Sequence, residues 1–257
     1  MTMKRLIYIT LILAAVITGC KKNEQLLYHD IARVQLNDTA TINSTFVYDP
    51  ATVTRDTVYV QVNTIGKTAN NDREVKLVQV TETGEPFPAV AGLHYVPLDD
   101  PSLKKLMVIK ANAVSAMIPI VLLRDTSLKS NSYRLRLELT ANDQFGLGEV
   151  QYRSIAIRFS DHLERFFSWR FDDGRAPAFY TFGKYSIGKH QFMIDVLHET
   201  IDEAWYQAAS SIGALTNYQN LLKPALAKFN SDPANIASGK APLRETSSPN
   251  SLAITFP

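Results

Sequence analysis

Alternation of apolar and polar residues is the feature that most constrains the fold of this chain. It runs through residues 57–63, where valines occupy every second position, and returns at 133–139 and 155–159. Because successive side chains of a strand point to opposite faces, such alternation buries one face of a sheet and leaves the other in water. Turn-forming pairs such as Asp49-Pro50 separate the runs. Many short strands spaced by turns predict an immunoglobulin-like β-sandwich over residues 26–160.

Residues 116–123 predict a strand that is more deeply buried than the others. Apolar side chains occupy both faces of this run, which is typical of a strand covered on two sides. Proline cannot donate a hydrogen bond to a neighbouring strand, so Pro119 favours a position at a sheet edge or in a bulge.

The pattern changes in residues 161–257. Residues 189–197 alternate again and predict another strand, and residues 252–256 predict a last one. Between them, capping-box sequences at Thr200 and Thr216 predict two short helices, because a hydroxyl and an acid or amide three residues later satisfy each other's backbone amides. The predicted fold class is mainly β, with the N-terminal immunoglobulin-like sandwich followed by a smaller α+β region with two short helices.

The first residues have the features of a bacterial lipoprotein signal. Lys4 and Arg5 precede an apolar run over residues 6–17, and Gly19 precedes Cys20. The run is too short for a transmembrane helix, which needs about 20 apolar residues, whereas a charged start and a short apolar middle are typical of a cleaved signal. An ordinary secretory signal would not need a cysteine at that position. We therefore expect cleavage between Gly19 and Cys20 and acylation of Cys20.

Acylation would fix where the protein works. Residues 1–19 would be removed as the signal peptide, residues 20–25 would form a lipidated tether, and two or more acyl chains on Cys20 would hold the protein stably on a lipid bilayer. Lys21 in place of aspartate disfavours retention at the inner membrane. The expected location is the outer membrane, lipid-anchored, facing the periplasm or the cell surface.

Composition narrows the range of partners. Removal of the signal peptide, with its Lys4 and Arg5, leaves 25 basic and 25 acidic residues. A neutral chain without a basic patch lacks the electrostatic signature of a nucleic-acid-binding protein. Cys20 is the only cysteine, so no disulfide can form within the chain and stability must come from packing.

Several segments carry a resemblance to known families. Those at 91–95, 116–124 and 133–137 resemble the core of Calx-β-type sandwiches. The mature chain as a whole is similar to a family of bacterial lipoproteins of unknown function, in segments at 56–60, 91–95, 118–124, 142–146 and 183–190. That resemblance implies gene neighbours of the SusC/SusD glycan-uptake type, and hence glycan and SusC/SusD-type proteins as partners. His94 stands where Calx-β domains usually carry an acid, which disfavours calcium because that ion prefers oxygen ligands.

No sequence pattern for catalysis or metal binding is present. The chain lacks a Gly-x-Ser-x-Gly nucleophile elbow and a His-Glu-x-x-His pair. Gly146-Leu147-Gly148 lacks the third glycine of a dinucleotide-binding loop, and Asp172-Asp173-Gly174 favours a turn rather than a pair of catalytic acids. We therefore expect no enzymatic activity, no catalytic residue, no metal and no cofactor.

Aromatic residues are dense in one stretch, which comprises Phe166, Phe167, Trp169, Phe171, Phe179, Tyr180, Phe182 and Tyr185. Such density is typical of a core between two parts of a protein, but an exposed aromatic face can also stack against the C–H face of a sugar. Polar residues flank Trp169 and Tyr180, which makes these two the candidate glycan-binding residues. Trp205 lies on the apolar face of the first predicted helix and is assigned to packing.

Two threonines match a short periplasmic O-glycosylation motif. They are Thr39 in Asp38-Thr39-Ala40 and Thr57 in Asp56-Thr57-Val58. Because three residues make a weak motif, the alternative for Thr57 is a solvent-facing position on a strand.

Three functions are compatible with these features. The leading hypothesis is an outer-membrane lipoprotein that serves as a non-catalytic accessory of a SusC/SusD-type polysaccharide uptake system and binds glycan or partner proteins. The first alternative is a structural or adhesive envelope lipoprotein without glycan binding. The second is a hydrolase with an unrecognised site, which would need two carboxylates about 5–10 Å apart in a cleft.

Overall fold

The computed structural model describes residues 31–257. Ten strands and one short helix occupy the first part of this range. The strands are β1 (Arg33–Leu36), β2 (Ile42–Thr45), β3 (Arg55–Ile65), β4 (Arg73–Glu74), β5 (Lys76–Val80), β6 (Val108–Ile109), β7 (Ser115–Leu123), β8 (Tyr133–Thr140), β9 (Gly146–Leu147) and β10 (Ser154–Ser160), and the helix is α1 (Pro101–Lys104). Five helices follow in the second part: α2 (Pro177–Phe182), α3 (Ile187–Leu197), α4 (Glu203–Ser211), α5 (Leu215–Ser231) and α6 (Pro233–Ala237).

The strands form a β-sandwich, which confirms the predicted fold class. One four-stranded sheet has the order β7-β3-β1-β9 and the other has the order β2-β10-β8-β5, while β4 and β6 make a separate pair. Valines and leucines at alternate positions of β3 and β8 enter a shared core, as at Val60, Val62, Leu135 and Leu137. The alternation of the sequence therefore identifies the buried face of each strand correctly.

Pro119 lies on an edge strand, as predicted. Strand β3 is the one neighbouring strand of β7 in the sheet order, and Pro119 stands opposite Tyr59 in an antiparallel register. Residues 94–96 bridge to the outer edge of β7 beyond Pro119, at Val121 and Leu123. The inward residues Ile118, Ile120 and Leu122 are fully buried. An edge strand tolerates proline because one side of its backbone needs no partner in the sheet.

A second hydrophobic core holds the helical part together. It includes Phe166, Trp169, Phe182 and Met193, and the first core ends at Phe159. The change from one core to the other therefore falls next to the predicted limit between residues 160 and 161, although the domain limits themselves stay a prediction. No helix of residues 31–257 combines the length and the apolar character that a bilayer crossing requires.

The predicted strand at 189–197 is wrong, because these residues form helix α3. Ser186 caps the helix by accepting a 3.1 Å hydrogen bond from the Lys189 amide, and His198 ends it in the left-handed conformation. Phe192 and Met193 are both buried, which two neighbouring residues of a half-buried strand would not be. The buried residues Lys189, His190, Phe192 and Met193 follow the three- to four-residue spacing of a helix rather than the two-residue spacing of a strand.

Both predicted helices after residue 200 exist, but neither uses the predicted cap. Asp202, not Thr200, caps α4 by accepting a 2.8 Å hydrogen bond from the Trp205 amide. Helix α5 begins at Leu215 and has no side-chain cap at Ala214. The predicted strand at 252–256 is reduced to an isolated bridge between Arg244 and Ala253.

Arg124 ties the sandwich to the chain that leaves it. Its guanidinium donates hydrogen bonds of 2.9 and 2.7 Å to the two carboxylate oxygens of Asp161. The same guanidinium donates to the carbonyl oxygens of Phe46, Pro50 and Val53. Arg124 therefore links the segment between β2 and β3 to Asp161, the residue that follows β10 and leads into the helical part.

Candidate functional site

A cleft of about 840 Å³ lies between the sandwich and the helical part. One wall is formed by β2, by the end of β10 and by the loop with Tyr48. The other wall is formed by residues 162–170 and by the start of α4. Ligand sites favour such positions between two packed parts of a protein, where few polar groups and some apolar surface converge.

Phe167 is the exposed aromatic residue of the cleft. It begins a 3₁₀ turn (Phe167–Trp169), and 67% of its surface is exposed. The Arg170 guanidinium lies 3.8 Å from the centre of its ring and donates a 2.8 Å hydrogen bond to the Phe167 carbonyl oxygen. This cation–π contact fixes the ring while most of its surface stays in water. The turn therefore presents a positioned apolar face to whatever enters the cleft.

Paired charges line the rest of the cleft. Arg158 forms an ion pair with Glu164, and Glu164 also accepts a hydrogen bond from the Ser132 hydroxyl. Arg165 pairs with Asp172 at 2.8 Å. The lining contains three arginines and three acids, namely Arg158, Arg165, Arg170, Glu164, Asp202 and Glu203. The cleft is therefore close to neutral and suits a polar ligand without net charge.

The carbonyl oxygen of Ile201, at the wall of the cleft, is contacted from both parts of the protein. It accepts a 2.9 Å hydrogen bond from the Tyr48 hydroxyl and lies 2.6 Å from His190 Nε2. The other ring nitrogen, Nδ1, lies 3.2 Å from the Tyr185 hydroxyl. Since a carbonyl only accepts, Nε2 carries the proton and Nδ1 accepts from Tyr185.

Burial keeps this histidine neutral. Desolvation lowers the pKa of His190 to about 4, and the hydrogen bond to Ile201 and the charge of Asp202 only partly oppose that shift. Desolvation likewise raises the pKa of Tyr185 to about 12 and that of Tyr48 far above its usual range. An uncharged chain of hydrogen bonds therefore links Tyr48, Ile201, His190 and Tyr185 at neutral pH.

Trp169 does not belong to the cleft, which corrects one of the two predicted glycan contacts. It is 0% exposed, and its indole nitrogen donates a 2.7 Å hydrogen bond to the Gly183 carbonyl oxygen. Its ring packs against Phe166, Phe182 and Tyr185. A side chain enclosed in this way has no free face for a sugar. Four of the eight aromatic residues of the stretch, Phe166, Trp169, Phe182 and Tyr185, are core, whereas Phe167 and Tyr180 are exposed.

Tyr180 is exposed but lies outside the cleft. It sits on α2 with 69% of its surface in solvent, next to Phe179, whose ring meets its own edge to face. It does not line the cleft. The structure therefore separates the two predicted aromatic residues, one in the core and one on another surface. Trp205 packs between Phe182 and Tyr218, in agreement with its assignment to packing.

The two candidate threonines lie on the sandwich. Thr39 follows β1 in a loop where Asp38 accepts a hydrogen bond from the Ala40 amide. Thr57 lies on β3, and both threonines are half-buried. Their glycosylation stays a prediction. Gly19 and Cys20, the predicted cleavage and lipidation residues, lie outside the described residues.

The remaining polar candidates have structural partners. Asp172 accepts from Arg165 and from the Tyr185 amide, and Asp173 pairs with Arg175 in the predicted turn. His94 accepts from the Val90 amide at 3.0 Å and contacts the Ser127 hydroxyl at 3.0 Å. Within residues 31–257, no three histidine, cysteine or acidic side chains are grouped so that they could hold a metal ion.

Phe167, Arg170 and Tyr48 are the cleft residues that sequence reasoning did not single out. In the sequence Phe166 and Phe167 form one apolar pair. In the structure Phe166 is buried and Phe167 is exposed. The available signal was the arginine three residues after Phe167, at a spacing that brings side chains together on one turn.

Comparisons with known proteins give a family and several distant structures. The model of the domain of unknown function DUF4843 matches residues 22–199. No curated protein sequence matches the chain.

Three of the solved structures similar to this chain come from Bacteroides. A candidate carbohydrate binding protein from Bacteroides ovatus is 12% identical, with 51% of this chain and 38% of that chain covered and a TM-score of 0.36. A protein of unknown function from the same species is 18% identical, with 49% and 43% covered and a TM-score of 0.36. A two-domain protein of unknown function from Bacteroides fragilis is 13% identical, with 51% and 45% covered and a TM-score of 0.33. The chain thus spans less than half the length of each of these proteins.

Proposed function

We propose that this chain, which belongs to the family of the domain of unknown function DUF4843, is a non-catalytic glycan-binding lipoprotein of the outer membrane. It serves as an accessory of a polysaccharide uptake system of the SusC/SusD type. The observation that carries the glycan-binding part is the exposed ring of Phe167, held by Arg170 inside a cleft of about 840 Å³.

The cleft matches the chemistry of a sugar. A sugar ring has an apolar C–H face that stacks on an aromatic ring and a rim of hydroxyls that donate and accept hydrogen bonds. Phe167 provides the first kind of contact, and the guanidinium groups and carboxylates beside it provide the second. The balanced charge of the lining favours a neutral ligand over a strongly anionic or cationic one.

The carboxylates of the cleft support a binding role rather than a catalytic one. Glu203 accepts hydrogen bonds of 2.7 and 2.9 Å from the amide and hydroxyl of Ser168, and Asp202 caps α4. Glu164 is engaged by Arg158 and Ser132. A glycosidase needs one carboxyl group free to protonate the leaving oxygen and another free to attack or activate water, and all three acids here already serve the fold.

Glycan binding is tested with a polysaccharide panel in affinity electrophoresis, followed by calorimetry on those that retard the protein. Phe167→Ala should weaken binding by about tenfold or more, which corresponds to about 1.4 kcal/mol, because the stacking face is lost. Tyr59→Ala is the matched control, since Tyr59 is 55% exposed on β3 and does not line the cleft. Tyr180→Ala in the same series tests the aromatic candidate outside the cleft.

Two outcomes separate the alternatives. Retention of no polysaccharide, together with stable capture of envelope proteins in a pull-down, would favour the structural or adhesive role. Release of reducing ends from a bound polysaccharide would favour a hydrolase. Pull-down of SusC/SusD-type proteins together with glycan retention is the result that the proposal requires.

Membrane attachment is tested at Cys20. The wild-type protein should incorporate labelled palmitate and sediment with outer membranes, and Cys20→Ser should do neither, since a serine hydroxyl cannot form the thioether that carries the diacylglyceryl group. Protease treatment of intact cells then separates a surface-facing protein from a periplasmic one. Palmitate incorporation by the Cys20→Ser variant would contradict the proposal.

Glycosylation of the sandwich is a separate proposal. The intact mass of the native protein should exceed the mass of the polypeptide with its lipids, and the excess should disappear in the Thr39→Ala/Thr57→Ala variant. A native mass without any such excess would contradict the glycosylation proposal.

A further inference from the structure

A second cavity adjoins the cleft. It has a volume of about 380 Å³ and shares two lining residues with the cleft, Arg158 and His162. Its far wall includes Phe87 and Asn131. In the strand register Arg158 stands between Asn43 of β2, which lines the cleft, and Arg134 of β8, which lines the second cavity. The two cavities are therefore neighbours across this sheet, on either side of Arg158.

Phe87 is held at this second cavity in an unfavourable conformation. Its φ angle is 51°, in the left-handed region that bulky side chains rarely adopt, and 48% of its surface is exposed. The Phe87 carbonyl oxygen accepts a 3.0 Å hydrogen bond from the Arg134 amide, and its ring meets Tyr133 edge to face at 5.9 Å. Strain of this kind concentrates at ligand-binding positions, where the surroundings hold it in place. Here it places an apolar ring at the rim of a polar cavity.

The polar groups around Phe87 resemble those around Phe167. The Asn131 side-chain amide lines the cavity and makes no hydrogen bond within the described part of the chain, so two donors and one acceptor are free for a ligand. Arg134 is neutralised by Glu85 at 3.4 Å, just as Arg158 is neutralised by Glu164. Each cavity thus combines one exposed ring with polar groups of balanced charge.

We infer that the two cavities bind one neutral, linear oligosaccharide, which stacks on Phe167 at one end and on Phe87 at the other and passes over the Arg158–Glu164 pair between them. The inference rests on the proposed glycan-binding function and adds the class of the ligand: a chain of several sugar units rather than a single sugar or a chain end. The free amide of Asn131 contacts hydroxyls of the second half of the chain. The Ser132–Glu164–Arg158 cluster, linked by hydrogen bonds, contacts the middle.

The test is affinity as a function of chain length. Calorimetry with neutral gluco-, manno- and xylo-oligosaccharide ladders, from disaccharide to octasaccharide, should show affinity rising by about tenfold or more between the short and the long members of the ladder that binds. Phe167→Ala should weaken binding at every length. Phe87→Ala should weaken only the long members and reduce them to the affinity of the short ones, and Asn131→Ala should act in the same direction.

Phe87→Gly is the control for misfolding. Because glycine adopts a positive φ without strain, this variant should keep the fold while the ring is lost. Tyr59→Ala should be neutral at all lengths. Affinity that is independent of length, or Phe87→Gly and Phe87→Ala curves that coincide with the wild type, would overturn the inference while leaving glycan binding at Phe167 standing. Failure of every ladder and every polysaccharide to bind would overturn both.

Discussion

The Tyr48 hydroxyl donates a 2.9 Å hydrogen bond to the carbonyl oxygen of Ile201, and this contact joins the sandwich to the helical part in the wall of the cleft. His190 donates to the same oxygen from the helical side at 2.6 Å. A carbonyl oxygen has two lone pairs and can accept both. The position of Ile201, and with it the adjoining start of α4, therefore depends on one residue from each part of the protein.

Tyr48→Phe should lower the free energy of unfolding by about 1 kcal/mol, the usual net value of one hydrogen bond. The effect stays modest because His190 still satisfies the Ile201 carbonyl oxygen. Urea unfolding followed by fluorescence measures it. Tyr59→Phe removes a hydroxyl from an exposed tyrosine of the same sandwich and should leave the midpoint unchanged; equal effects of the two variants would show that Tyr48 does not link the parts.

Stability should depend on pH through His190. Burial lowers the pKa of this residue to about 4 in the folded protein, whereas an unfolded histidine has a pKa of about 6.5. Between these values the unfolded chain binds a proton that the folded protein does not, so the free energy of unfolding rises with pH. Its contribution is complete above pH 6.5 and is lost as the pH falls towards 4, by an amount on the order of 3 kcal/mol.

The matched variant for this prediction is His190→Gln. A glutamine amide can still donate to the Ile201 carbonyl oxygen but does not titrate, so the slope between pH 4 and 6.5 should become smaller. Some slope should remain, because burial also lowers the pKa of His94. Urea midpoints measured across this range give the slopes, and identical slopes in wild type and variant would contradict the assignment.

The sandwich was predictable because its signal is local. The inward residues of β3, β8 and β10 alternate with outward ones, and a strand converts that period directly into a buried face. Pro119 could be placed at an edge for an equally local reason. Residues 189–197 were wrongly predicted because the run Phe192, Ile194 and Val196 alternates by chance, while Met193 between them is also apolar. The Ser186 cap and the burial of both Phe192 and Met193 show the helix.

The cleft was less predictable because it depends on which way a single turn faces. Trp169 and Phe167 are two residues apart, and polar neighbours indicated exposure for Trp169. The 3₁₀ turn instead directs Trp169 into the second core and Phe167 into solvent. Arg170, one of those polar neighbours, stacks on Phe167 rather than beside Trp169. Sequence patterns identify the aromatic segment, but tertiary packing decides which ring remains free.

Trp169→Phe should separate stability from binding. The variant loses the hydrogen bond from the indole nitrogen to the Gly183 carbonyl oxygen and leaves a void in the core, so we expect destabilisation of about 2–4 kcal/mol. Glycan affinity of the folded variant, measured by calorimetry well below its melting temperature, should equal that of the wild type. Phe167→Ala should show the opposite pattern, with stability kept and affinity lost. If Trp169→Phe lost as much glycan affinity as Phe167→Ala, Trp169 would have to be assigned to the binding site.

Asp161→Ala should destabilise the protein clearly. It would leave the Arg124 guanidinium, whose side chain is 15% exposed, without its carboxylate. Removal of one partner of a fully buried ion pair costs about 3–5 kcal/mol, and we expect about 2–3 kcal/mol here because water reaches part of Arg124. The carbonyl oxygens of Phe46, Pro50 and Val53 would still accept from Arg124, but none of them carries a full negative charge. Asp72→Ala breaks the exposed pair with Lys110 at a comparable distance of 2.8 Å and should change the urea midpoint far less, because water screens that pair. If the two variants shifted the midpoint equally, Arg124 would not be the tie between the sandwich and the helical part.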